Sequence, residues 1–273
     1  MVPCPGIEYS SGFTYIMSTQ STQTLIDRLF TAGAHFGFKK SRRHPTVTQY
    51  LFTSKDGNDI FDLEQSAALI QAAAAVMNEA GKNGKTVIFA GTKDEVARLV
   101  RASADKVGMP YVTNRWIGGM LTNFSEIKKR IMRLDSLTNE RESGELDRKY
   151  TKKERVMINR EITKLEFNFA GIKGITKTPD LMVVVDPRHD VIAVQEARDM
   201  RVPIIALLSS DGDASKVTHP ILVNDALQSS VSVVLDELTA AYAAGRAEFV
   251  PKPVAPRTPV VSDSRPRRPR PAA

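Results

Sequence analysis

Thr86-Val87-Ile88-Phe89-Ala90, followed at once by Gly91-Thr92-Lys93-Asp94-Glu95, is the stretch on which the fold turns. Five uncharged residues, partly β-branched and closed by a glycine, have the pattern of a short strand buried on both faces. Two further runs share this character, Leu181 to Val185 (LMVVV) and Pro203 to Leu208 (PIIALL). Helical patterns separate the three, and strands alternating with helices predict a mostly parallel sheet covered on both sides. The expected fold class is therefore α/β: a Rossmann-like or flavodoxin-like parallel sheet sandwiched by helices.

Working outward, an Ala- and Leu-rich helix is expected from about Asp62 to Ala80, ended by Gly81 and Gly84. Thr92 with Glu95 has the spacing of a capping box and opens a helix to about Val107. Gly108-Met109-Pro110 turns into a short strand at Tyr111 and Val112, and a last helix spans roughly Asn224 to Ala244. Residues 125–168 break the alternation, with 12 Lys or Arg and 9 Asp or Glu among 44 positions. Ile127, Ile131 and Leu134 form one narrow apolar seam, and Ile158, Ile162, Leu165 and Phe169 a second. Asn139 to Gly144 supplies a turn between them, and Thr151 with Glu154 a second capping box. This segment is expected to be an inserted antiparallel coiled-coil hairpin, the competing reading being two ordinary helices with solvated charged faces. The chain then divides into a variable extension (1–23), an α/β domain (24–124 and 169–245), the insertion (125–168) and a Pro/Arg-rich basic tail (246–273) whose composition predicts disorder.

At 273 residues and 42% hydrophobic content the chain can bury a sizeable core. Its formal net charge is +7, which favours an anionic partner. Seven basic and two acidic residues lie in 246–273, so the folded part is nearly balanced and must hold any polyanion through local clusters. The single cysteine, Cys4, excludes an intrachain disulfide and a Cys-based zinc site, and fits a reducing compartment. No run of 18 apolar residues exists, so no membrane span is expected. The first 20 residues lack Lys and Arg, which argues against a secretory or transit leader.

A parallel sheet invites a test for nucleotide binding, and the loop after the first core strand fails it. It has one glycine where a dinucleotide fingerprint needs three, and Asp94 and Glu95 would repel a pyrophosphate. No G-x-x-x-x-G-K-[ST] occurs, and the four histidines (His35, His44, His189, His219) form no H-E-x-x-H pair, so no cofactor or metal is expected. His35, between Gly33 and Gly37, has the surroundings of a structural residue. Asp186, Asp211 and Asp213 stand at the carboxyl edge of the sheet, where ligands of open α/β folds bind, but Asp186-Pro187 also fits a turn and cap.

Nucleic-acid signals are stronger. Lys39, Lys40, Arg42 and Arg43 follow Phe36-Gly37-Phe38, and cations beside aromatic rings suit RNA, whose phosphates attract the charge while unpaired bases stack. Arg115 beside Trp116 repeats the pairing, and Lys128, Lys129, Arg130, Lys152 and Lys153 add charge on the expected hairpin. Trp116, with Gly118 and Gly119 close behind, suits an RNA-facing surface or a core anchor that seats the hairpin on the body. Its place immediately before residue 125 favours the junction, with Arg115 the better phosphate candidate.

Three blocks carry a family resemblance: Leu25 through Gly37, ending Gly33-Ala34-His35-Phe36-Gly37; Gly108 through Phe124, containing Arg115-Trp116-Ile117-Gly118-Gly119-Met120-Leu121-Thr122-Asn123-Phe124; and Pro179 through Pro203. They resemble, in order and spacing, the uS2 family of bacterial-type small-subunit ribosomal proteins, over about residues 24–245. The resemblance implies a five-stranded parallel sheet with a protruding coiled-coil hairpin and a non-catalytic role in translation. It also implies a cytoplasmic place in the small ribosomal subunit, contact with 16S-type rRNA where head meets body, and help in docking the mRNA-binding protein bS1. Neighbouring small-subunit proteins are its other expected partners, with no membrane and no obligate homo-oligomer. Phe38 departs from a histidine common in that family, and Ser209-Ser210-Asp211-Gly212-Asp213 from its common D-T-N-C-D-P. The alternative functions are a Rossmann-like enzyme acting on a phosphorylated small molecule and a protein adaptor built on the hairpin.

Met17-Ser18-Thr19-Gln20 has the polar character of a translation start. Amino-terminal sequencing of the mature protein should therefore return Met17 or Ser18, and a peptide beginning at Met1 or Val2 would overturn this expectation.

Overall fold

The computed structural model describes residues 24–175 and 177–249. Expectations for the extension, including Cys4 and the start at Met17, and for the tail beyond Phe249 fall outside these residues. Helix α1 (24–31) leads into a small antiparallel sheet of β1 (Phe36–Lys39), β2 (Leu51–Lys55) and β3 (Asn58–Phe61), in the order β1-β3-β2. The sequence reading missed this sheet, although its β2–β3 turn is Asp56-Gly57 with φ of 53° and 79°. Asp-Gly between strands supplies two positive φ angles and is a strong hairpin signal.

The main body alternates as expected: α2 (Leu63–Lys82), β4 (Val87–Ala90), α3 (Asp94–Val107), β5 (Tyr111–Val112), then α4 (Phe124–Glu142), α5 (Glu145–Lys149) and α6 (Lys152–Phe169). It resumes with β6 (Leu181–Val185), α7 (Val191–Asp199), β7 (Ile204–Leu208), β8 (His219–Leu222) and α8 (Gln228–Ala247). All five strands of this sheet are parallel, in the order β5-β4-β6-β7-β8. No described helix is long and apolar enough to cross a membrane.

Alternate residues of the strands feed two cores. Val87, Phe89, Leu181, Val183, Ile205 and Ile221 face α1, α2, α3 and α8, packing on Leu29, Ile70, Met77, Val100 and Leu235. Ile88, Ala90, Met182, Val184, Ala206 and Leu222 face the other way, onto Trp116, Met120, Leu121, Ile127, Ile131, Phe169, Ala193 and Ala197. Ile127, Ile131 and Phe169 thus seat α4 and α6 in the second core, while Leu134, Leu137 and Ile162 form a separate small one between these helices. Ion pairs Arg133–Glu161 (3.6 Å) and Arg141–Glu166 (3.7 Å) also join α4 to α6.

Several local expectations need correction. Thr92 and Glu95 form no capping box: α3 begins at Asp94 with Lys93 as its uncapped N-cap, because the Thr92 hydroxyl bonds Asp190 instead (2.6 Å). The box at Thr151 and Glu154 does form. Helix α4 continues through Asn139 to Glu142, leaving the turn to Ser143 and Gly144 (φ 72°). Helix α8 starts at Gln228 rather than Asn224, whose Oδ1 accepts from the Ala226 amide (3.1 Å) in a local turn. Gly81 does not end α2; it lies inside it, where a Cβ would sit 2.5 Å from the Tyr242 carbonyl oxygen of α8.

Gly245 makes the reciprocal approach, with the Asn78 carbonyl of α2 blocking any Cβ. Helices α2 and α8 thus touch backbone to backbone. Gly245→Ala should gain about 1 kcal/mol of helix propensity but lose more by forcing two rigid backbones apart. A net destabilisation of about 1–2 kcal/mol is expected in urea denaturation, and an unchanged midpoint would refute this.

Candidate nucleic-acid interface and the junction beside it

The basic run leaves β1 and enters a 3-10 turn at Lys40–Arg42. Lys39 and Lys40 are exposed. The Arg42 guanidinium lies 5.0 Å over the Phe38 ring and 3.9 Å from Asp211, with about half its side chain open. Arg43 turns inward: its Nε donates to Asp59 (2.8 Å), its Nη2 donates to Ser54 (2.7 Å), and the guanidinium pairs with the fully buried Asp59. This hydrogen bonding holds the Asp59 carboxyl below the usual range. Arg43 therefore ties β3 to the loop, and its fork is already occupied.

Arg115 is exposed and Trp116 is buried in the second core. What fixes this loop is Glu196 of α7, a buried carboxylate that sequence reading did not single out. Its Oε1 accepts from the Gly119 amide (2.7 Å) and the Trp116 indole (3.4 Å), and its Oε2 from the amides of Leu121 (2.9 Å) and Thr122 (3.4 Å). Gly119 has φ of 92°, a conformation that glycine adopts without strain and that aims its N–H at the carboxylate. Gly118 is exposed, and a Cβ there would meet only Glu196 at 3.9 Å. The available signal was a lone acid, Glu196, among the apolar positions Ala193, Val194 and Ala197.

Lys128, Lys129 and Arg130 are exposed in the first turns of α4, close to where Ile127 enters the body core, and Lys129 pairs with Glu126 (2.6 Å). Lys152 and Lys153 are exposed at the start of α6. They stand about 25 Å along the helix, at 1.5 Å per residue, from the end that Phe169 anchors. Lys128, Lys129 and Arg130 on one side and Lys152 and Lys153 on the other therefore form separate groups.

At the carboxyl edge of the parallel sheet the chain fills the switch point with its own side chains, and beside it a cavity of about 220 Å³ is lined by His44, Arg188, Asp211, Asp213 and Lys216. The strand order reverses direction between β4 and β6, the point where open α/β sheets bind ligands. There the Thr92 amide and hydroxyl donate to Asp190 (3.1 and 2.6 Å), and Lys93 reaches Asp186 (3.3 Å) and Asp225 (3.7 Å). Burial and the neighbouring Asp186 push Asp225 up to about 7. Burial opposes the charge on Lys93, but Asp225 and Asp186 outweigh it and raise its pKa. Asp186 (φ 62°) accepts from the amides of Arg188 and His189 (both 3.2 Å), capping the turn before α7. Asp211 pairs with Arg188, and Asp213 accepts from Ser215 (3.0 Å). No cluster of three or more His, Cys, Asp or Glu among the described residues is arranged to hold a metal.

Removing the Glu196 acceptor would orphan several buried donors at once. Glu196→Ala should cost about 2–4 kcal/mol, with Glu196→Gln intermediate because one carbonyl acceptor remains. Trp116, the only tryptophan, reports the loop directly. Its emission should shift red in Glu196→Ala under native conditions, and unchanged emission and stability would refute the role of Glu196.

Comparison with known proteins matches residues 29–245 to the family described as ribosomal protein S2. The small ribosomal subunit protein uS2 of Picosynechococcus sp. is 40% identical over 218 residues, covering 80% of this chain and 85% of its own length. The uS2 of Salinibacter ruber is 38% identical over 228 residues (84% and 71%), and that of Fusobacterium nucleatum 37% over 218 residues (80% and 88%). The family is structural and non-enzymatic, so the alternative of a Rossmann-like enzyme on a phosphorylated substrate is set aside. With a match that runs through nearly all of the described residues, this chain belongs to the ribosomal protein S2 family.

Proposed function

We propose that this chain is a structural constituent of the small ribosomal subunit, working in translation in the cytoplasm, where it binds 16S-type rRNA at the head–body junction and helps dock bS1. The observation that carries this is the continuous family match over residues 29–245, with relatives named as small-subunit proteins. Exposed Lys39, Lys40, Arg42, Arg115, Lys128, Arg130, Lys152 and Lys153 are suited to phosphate contacts, and Lys129 joins them by giving up Glu126. Arg43 acts behind them by holding the loop on Asp59. Residues 24–124 and 169–245 serve as the seated body. Residues 125–168 serve as an antiparallel coiled-coil arm, a reading supported by the Leu134, Leu137 and Ile162 core. The switch point between β4 and β6, filled by Thr92, Lys93, Asp186 and Asp190, favours a scaffold over a nucleotide site there.

Replacing Lys39, Lys40 and Arg42 with Ala should weaken rRNA binding and lower the slope of log affinity against log salt by roughly two to three, as phosphate contacts are lost. The melting temperature should not change. Adding Arg43→Ala should cost about 3–5 kcal/mol of stability by leaving Asp59 buried and without its ion-pair partner. The reading is tested by co-sedimentation with small-subunit particles, and a chain that stays off them and binds nucleotides saturably would overturn it.

A further inference from the structure

The turn at Gly33 (φ 71°) folds the end of α1 against the start of β1 and brings three rings together. Phe30 and His35 stack with centroids 4.8 Å apart and planes 12° from parallel, and His35 meets Phe36 at 4.0 Å and 41°. The His35 backbone is fixed by its carbonyl, which accepts from the Phe61 amide (2.8 Å), while the ring Nδ1 is buried without a hydrogen-bond partner among the described residues. Burial lowers the His35 pKa, so the imidazole is a flat, neutral ring at neutral pH. The outer rings are open, Phe30 at 62% and Phe36 at 51% exposure. Two open phenylalanines gathered around one imidazole present a contiguous aromatic surface, which suits a partner with a flat apolar face.

The surrounding charge selects the class of partner. Three residues on from Phe36 begin exposed Lys39 and Lys40, followed by the half-exposed Arg42, itself stacked on Phe38. Of the acids on these elements, Asp59 is buried and neutralised by Arg43, while Asp27 on α1 and Asp56 in the β2–β3 turn are exposed. Aromatic faces beside a cationic track match a single strand of nucleic acid, whose unpaired bases stack while its phosphates meet the cations. A purely apolar peptide would leave those cations without a role.

We propose that Phe30, His35 and Phe36 form a stacking platform for unpaired bases of a single-stranded RNA segment, whose phosphates are taken by Lys39, Lys40 and Arg42. The platform rests on the reading of this chain as an RNA-binding ribosomal protein and adds to it the kind of RNA bound here. Double-helical RNA keeps its bases stacked internally and gains nothing from the rings.

The test uses the full chain with labelled octa-adenylate RNA and a blunt RNA duplex, comparing wild type, the double variant Phe30→Leu/Phe36→Leu, and Phe36→Trp. Leucine keeps apolar bulk and removes the flat ring, and thermal melts select variants that fold as wild type. The double variant should bind octa-adenylate roughly tenfold more weakly, about the effect of one lost base–aromatic stack. Its salt slope and duplex binding should be unchanged, and Phe36→Trp should bind octa-adenylate at least as tightly as wild type. Equal octa-adenylate binding by wild type and the double variant would overturn the platform, as would an equal loss on duplex. Loss of particle co-sedimentation with octa-adenylate binding intact would assign the rings to an apolar protein partner and overturn it as well. Failure of the wild-type chain itself to join small-subunit particles would count against the ribosomal reading, whereas a particle-bound chain without ring-dependent octa-adenylate binding would sink the platform alone.

Discussion

Strands that are apolar on both faces must be covered twice, and the rest of this molecule follows from how the two covers are made. One is conventional: α2 and α8 close so tightly that Gly81 and Gly245 bring the two backbones into contact. The other is composite, formed by α7, the loop from Trp116 to Leu121, and the inner ends of α4 and α6. Helices alone could slide on the sheet, but a loop must be fixed in place, because its backbone amides need partners once water is excluded.

Glu196 supplies those partners. A single buried carboxylate accepts from amides of Gly119, Leu121 and Thr122 and from the Trp116 indole, so one side chain of α7 satisfies a loop 75 residues away. An ion so deeply placed is tolerated only because its lone pairs are filled. The consequence reaches the surface. Arg115, Lys128 and Arg130 flank this junction, and their direction is set by how the loop and the base of α4 are seated. In a protein proposed to bind by positioned charge, the buried acid and the exposed cations are parts of one device.

Much of the fold was legible. Thr86–Ala90, Leu181–Val185 and Pro203–Leu208 lie where three of the five parallel strands form, because strands covered on both faces need uncharged residues throughout. The box at Thr151 and Glu154 formed because both partners are local and exposed to each other alone. The identical spacing at Thr92 and Glu95 failed because Asp190, 98 residues away, competes for the same hydroxyl. The small sheet was missed although Asp56-Gly57 announced its turn, since β2 is largely exposed and lacks the apolar run of a core strand.

The candidate site divides along the same line. Sequence by itself determined the core strands, the charged helical segment, the family-bearing blocks and the basic run, since composition and short-range periodicity depend only on neighbours in the chain. It could not tell Arg42 from Arg43, nor make Phe30, His35 and Phe36 one stack, nor find Glu196 at the centre of the junction. Those outcomes were decided by tertiary structure. Whether a cation faces water or a buried acid depends on which distant backbone folds beside it, and no local pattern records that choice.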